Sequence, residues 1–192
     1  MTTAVEILAL CRDCAQHVYN KHKPTPEYAE DVAQLLFMTA AHESGGFRYR
    51  RQLGFARLSE RGAFGLWQTE WLSALDSLRF LRRNVPLLAH SREWVDSFSA
   101  LAGTPLCEGG KQTILATLQT KDGDPLGCLL ARLHYLRIPK AIPHDVQAQS
   151  RYAKRYYNTR LGAATAEDYE CAYYAHWPET ETQCPKHLSL TR

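Results

Sequence analysis

No apolar run in this 192-residue chain approaches the roughly 20 residues needed to cross a bilayer, so no membrane span is expected. The N-terminus also lacks the basic-then-apolar pattern of a secretory leader. Synthesis in the cytoplasm is therefore expected, with another route out if the protein acts outside. Charge of one sign is scarce: 23 Lys+Arg against 20 Asp+Glu leave a formal net charge of +3. That balance is compatible with approach to an anionic surface. The basic residues are too dispersed for a nucleic-acid-binding stripe, and no nucleic-acid motif accompanies them. Repeats and low-complexity segments are missing as well. Six cysteines occur, but Cys11-x-x-Cys14 lies inside a helical pattern without a second such pair, and Cys184 and His187 stand far off in sequence. No metal site and no cofactor is expected, and without a leader the thiols are expected to be reduced.

What is present reads as one mainly α domain over residues 1–192, with a loose polar tail over 179–192. Thr3-x-x-Glu6 is a capping box that opens a helix over about 4–20. Thr25-Pro26-Glu27 opens a second one with a capping hydroxyl, proline in the first turn and an acid behind it. A leucine stripe over 71–81 is expected to stop near Asn84-Val85-Pro86, and a new helix to start near Ser91. Asp122-Gly123-Asp124-Pro125 breaks the chain and restarts it, with Asp124 as cap. Leu126, Leu129, Leu130, Leu133 and Leu136 then form the most apolar stripe, expected to be the central core helix. An aromatic-rich helix over 145–158 and a last one opened by Thr165-x-x-Asp168 and stopped by Pro178 complete the set.

The stretch over 40–68 organises the rest. Val32, Leu36 and Glu43 fall within roughly 40° of one another at helical spacing, so Glu43 belongs to an apolar helix face. It also stands in the last helical turn, before Ser44-Gly45-Gly46. The apolar face and the negative end of the helix dipole both disfavour a charged carboxylate there. A carboxyl able to hold its proton is what a glycosidase uses as general acid. A basic, aromatic loop or short hairpin over 47–61 follows, expected on one wall of a cleft, with arginines that either solvate the loop or reach anionic substrate groups. Gly65-Leu66-Trp67-Gln68 closes the stretch.

Glu43-Ser44 followed by Gly65-Leu66-Trp67-Gln68 resembles the lysozyme-like lytic transglycosylases, which carry Glu-Ser at a helix end and then Gly-Leu-Met-Gln. Trp67 stands where that family has Met. The family's later Ala-Tyr-Asn run is matched only by Ala172-Tyr173-Tyr174, with Tyr157-Asn158 as a second match. His42-Glu43-Ser44-Gly45-Gly46-Phe47 also resembles the helix end of family 19 chitinases and related phage endolysins, whose second acid lies on the following loop, where Glu60 stands here. The segment around Tyr156-Tyr157-Asn158-Thr159 is similar to segments of tailed-phage virion proteins.

The resemblance implies a lysozyme-like helical fold with a small loop or hairpin beside the cleft. It implies cleavage of the β-1,4 MurNAc–GlcNAc linkage of peptidoglycan with Glu43 as general acid. In the transglycosylase version the sugar's own 6-hydroxyl attacks and no second acid is needed; in the hydrolase version Glu60 is the base. A third version keeps the fold as a non-catalytic phage tail or virion component. Ser44, Trp67, Gln68, Tyr157, Asn158 and Tyr173 are the implied substrate-side residues, Tyr173 orienting the Glu43 head or the sugar. The implied partners are glycan strands and phage tail or virion proteins. The implied site of action is the phage virion or the host periplasm and cell wall after delivery.

Overall fold

The computed structural model describes residues 2–52, 62–98, 110–158 and 163–179. Among them are eight α-helices and one two-stranded antiparallel hairpin, so the fold is mainly α. In chain order these are α1 (Ala4–His17), α2 (Pro26–Glu43), β1 (Ala63–Phe64), β2 (Thr69–Glu70), α3 (Trp71–Arg83), α4 (Val85–Asp96), α5 (Lys111–Leu118), α6 (Asp124–Leu136), α7 (Val146–Tyr156) and α8 (Ala166–His176). No helix among the described residues is long and apolar enough to cross a membrane.

The helix starts follow from local chemistry. Thr3 and Thr165 each form a full capping box, and Thr25, Asn84 and Asp145 each accept from a backbone N–H of the first turn. Asn84-Val85-Pro86 therefore opens α4 and does not merely end α3: Asn84 caps it and Pro86 sits in its first turn, where a missing N–H costs nothing. Asp124 does not cap α6 as expected. Its carboxylate instead takes a two-pronged bond from Arg50, Nε at 2.9 Å and Nη2 at 2.7 Å, and accepts from the Thr2 hydroxyl. This nearly buried pair ties the segment after α2 to the start of α6.

The core is continuous across α1, α2, α6 and α8. α2 packs most extensively against α1 and α8 and touches α6 only lightly. One link between those two helices is polar: the Thr39 hydroxyl lies 2.8 Å from the Tyr135 hydroxyl. α6 is nevertheless buried along most of its length, with α1 and α3 as its main neighbours. Cys11, Cys14 and Cys128 are buried free thiols, but Cys171 is disulfide-bonded. The expectation of reduced thiols fails at Cys171, because the composition of the first residues carries no information about which sulfurs the fold brings together. Glu179, first residue of the stretch expected to be loose, is held by Arg12 at 2.7 Å.

Candidate active site

α2 ends at Glu43 because the next residues turn the chain sharply. Gly45, Gly46 and Phe47 all have positive φ (60°, 75° and 64°). At Gly46 a Cβ would stand 2.5 Å from Nε2 of His176 on α8, and the positive φ adds to the preference for glycine there. The Ser44 hydroxyl donates to the Ala40 carbonyl at 2.6 Å and accepts from the Phe47 N–H at 2.7 Å. These bonds close the helix and start the segment over 48–52. That segment then pairs back on the hairpin: Gln52 exchanges backbone and side-chain bonds with Ala63, and the Gly65 N–H donates to the Arg50 carbonyl.

The result is a cleft of about 670 Å³, a volume typical of small-ligand sites. Glu43 and the segment after it, the hairpin, α3, α6 and the end of α7 all line it. Glu43 is half-buried at this boundary. The Tyr169 hydroxyl on α8 donates to its Oε1, and Nδ2 of Asn158 stands 3.5 Å from the same oxygen. Lys154 donates to the Asn158 carbonyl oxygen at 3.0 Å, which turns the amide N–H₂ toward Glu43. Both donors use Oε1, so Oε2 is the oxygen on which a transferable proton can sit. Burial, then the negative charge of Glu43, push the Tyr169 phenol well above its ordinary pKa. It therefore stays a donor.

His134 of α6 also lines the cleft, with Nε2 2.7 Å from the Tyr156 carbonyl. A carbonyl only accepts, so Nε2 carries the hydrogen. Burial lowers the pKa of this ring, as it does for His42, which lies against the Tyr169 ring at 4.0 Å. Tyr157 donates to the Trp67 carbonyl at 2.7 Å, fastening the end of α7 to the turn between the strands. Gln68 occupies the left-handed region (φ 45°) and donates its amide hydrogens to the Gly65 and Tyr49 carbonyls at 2.8 and 3.4 Å. Its carbonyl oxygen is left to accept from a ligand. Arg51 also lines the cleft, its guanidinium over the Phe64 ring at 5.1 Å.

Of the residues singled out in the sequence, Glu43, Gln68, Tyr157 and Asn158 thus meet at one cleft. Three others do not face it. Trp67 is fully buried and donates its indole N–H to the Leu36 carbonyl of α2 at 2.9 Å, so it is a pin for the turn and not a sugar platform. Ser44 is fully buried, its hydroxyl spent on the helix end. Tyr173 is buried and stacks on Trp177 at 4.8 Å. The tyrosine that reaches Glu43 is Tyr169, one helical turn earlier on the same face. Glu60 lies outside the described residues. The sequence reading missed Tyr169, His134 and Glu70, all close to the motifs it did use. Among the described residues no group of three or more His, Cys, Asp or Glu side chains is arranged to hold a metal ion. Comparison of the chain with protein-family models, curated proteins and solved structures returns no match.

Proposed function

We propose that the protein is a peptidoglycan glycosidase that cleaves the β-1,4 linkage between MurNAc and GlcNAc with Glu43 as general acid. The observation that carries this reading is the state of the Glu43 carboxyl. It is half-buried in a cleft, with two donors on one oxygen and, among the described residues, none on the other. Proton transfer from Oε2 to the glycosidic oxygen would release the leaving sugar as a neutral alcohol. The Gln68 carbonyl oxygen suits the N–H of an acetamido group. Carriage to the wall in a phage particle, which the virion-protein resemblance suggests, belongs to the same proposal.

Two routes complete the reaction. The lytic transglycosylase resemblance favours attack by the sugar's own 6-hydroxyl, leaving a 1,6-anhydro end. A second carboxylate in the cleft, Glu70, favours attack by water. The test is digestion of purified sacculi by wild-type protein and by Glu43→Gln, with mass spectrometry of the released fragments. Wild type is expected to release muropeptides and Glu43→Gln less than about a tenth as much, since general acid catalysis contributes about 10²–10⁴-fold. Sacculi that bind the protein but yield no fragments would instead make it a wall-binding component.

A further inference from the structure

We propose that a cavity between α1 and α4 is a second ligand site, apart from the Glu43 cleft, and that it takes a small zwitterion: an amino acid or short peptide bearing a free ammonium and a free carboxylate.

The cavity measures about 460 Å³, within the range of small-ligand sites. The end of α1 and the residues after it supply Asp13, Tyr19 and Lys23, and α4 supplies His90, Glu93 and Trp94. His90, Glu93 and Trp94 stand three and four residues apart, so one face of α4 lines the cavity. It shares no lining residue with the Glu43 cleft.

The lining divides into groups already engaged and groups left over. Asp13 is engaged: its Oδ2 accepts from the Trp94 indole N–H at 2.6 Å, and its Oδ1 stands 3.0 Å from Nδ1 of His17. The indole bond holds the buried Trp94 ring against α1. The Tyr19 and His90 rings lie together with centroids 4.4 Å apart. These rings give the cavity an aromatic wall against which an aliphatic stem can lie. Lys23 and Glu93 are left over. Both are exposed, and among the described residues no hydrogen bond or ion pair engages either. Nδ1 of His90 is left over too: it is shut off from solvent and has no hydrogen-bond partner. Buried polar atoms in folded proteins nearly always have one. Nε2 of the same ring stands 3.4 Å from the Tyr19 hydroxyl, a long contact. The ring is therefore lightly held and can turn a nitrogen toward a ligand.

An uncommitted cation and an uncommitted anion in one cavity set the charge of its occupant. A purely anionic ligand drawn to Lys23 would meet Glu93, and a purely cationic one drawn to Glu93 would meet Lys23. A molecule with both charges meets each with its opposite. Its ammonium faces Glu93 and its carboxylate faces Lys23, with a His90 ring N–H as a further donor to the carboxylate.

Trp94 reports on the site directly. The chain has four tryptophans, so nitrogen-labelled protein gives four indole N–H signals in an NMR spectrum, and that of Trp94 is identified by its loss in Trp94→Phe. Titration with trialanine is expected to shift the Trp94 signal saturably. N-acetyl-trialanine lacks the ammonium and trialanine amide lacks the carboxylate. Each is expected to bind about threefold or more weaker, the scale of one solvent-touched ion pair. Glu93→Gln should weaken trialanine by a similar factor and leave N-acetyl-trialanine unchanged. Lys23→Met should weaken trialanine and leave the amide unchanged. Neither side chain has a partner in the fold, so the urea midpoint should stay where it is. A Trp94 signal that trialanine does not shift, or shifts without saturating, would overturn the site. Saturable binding that is equal for all three probes, or that survives both substitutions, would overturn the zwitterion as its occupant. The readout involves no glycan cleavage, so it stands or falls apart from the role of Glu43.

Discussion

The Tyr169 hydroxyl donates a hydrogen bond to Oε1 of Glu43, joining the first turn of α8 to the last residue of α2. The His42 ring covers the phenol, with centroids 4.0 Å apart. The bond occupies one carboxyl oxygen and leaves the other to face a ligand. Tyr169→Phe keeps the ring and removes only the donor. A hydrogen bond to a charged group contributes about 1.5–3 kcal/mol, so the rate of sacculus clearing should fall roughly 10- to 100-fold with the fold retained. An unchanged clearing rate would remove Tyr169 from the site.

Asn158 reaches the same oxygen at 3.5 Å, the outer limit of a hydrogen bond, through an amide aimed by Lys154. Its loss should matter less. Asn158→Ala is expected to lower the clearing rate by less than about tenfold, in keeping with about 1 kcal/mol for an ordinary bond. Asn158→Ala falling below Tyr169→Phe in the same assay would reverse the ranking of the two donors.

Which of these partners the sequence could reveal depends on what kind of signal each leaves. The start of α2, its apolar face and its glycine stop are local patterns, and they put Glu43 at a helix end facing the interior. Tyr169 and Tyr173 are four residues apart, so periodicity gives them the same face of α8. Only the height at which α8 crosses α2 decides which one meets Glu43, and that height is set by packing. Gly46 records it faintly, since a Cβ there would stand 2.5 Å from the His176 ring. Trp67 was misplaced for a similar reason. It sits in a motif beside Gln68, and the motif cannot say that one side chain turns into the core while the next faces the cleft. Asn84-Val85-Pro86 fits a helix end and a helix start equally well by composition, and here α3 and α4 abut at one residue.

Trp67 as a structural pin has its own consequence. The side chain is fully buried, bonds the Leu36 carbonyl and packs on Gly127, where a Cβ would come within 3.0 Å of the indole. Trp67→Phe keeps an aromatic ring but leaves a void and drops the N–H bond, a cost of about 2–4 kcal/mol by the usual measures of core truncation and lost bonds. The urea midpoint should fall accordingly. Soluble glycan fragments should bind the folded fraction with unchanged affinity. A variant with wild-type stability and weakened glycan binding would return Trp67 to the substrate side.

The last expectation concerns acid. Burial lowers the pKa of His42, His134 and His176 in the folded protein below the ordinary imidazole value. Just below about pH 6.5, the ordinary imidazole pKa, the unfolded chain therefore holds more protons on these rings than the folded one. Stability then rises with pH, is fully present above that value, and is lost as pH falls toward the folded pKa values. The slope per histidine is at most about 1.4 kcal/mol per pH unit, and less here because all three rings keep some solvent contact. Carboxylates whose pKa is lowered, such as Glu6 and Glu179, add a separate loss only below about pH 4.5. Urea unfolding followed at pH 7.5, 6.5 and 5.5 should thus show a midpoint that holds and then drops. His134→Gln, which keeps a side-chain N–H for the Tyr156 carbonyl but does not titrate, should make the drop shallower. A midpoint independent of pH across that range would show that the histidines do not carry this linkage.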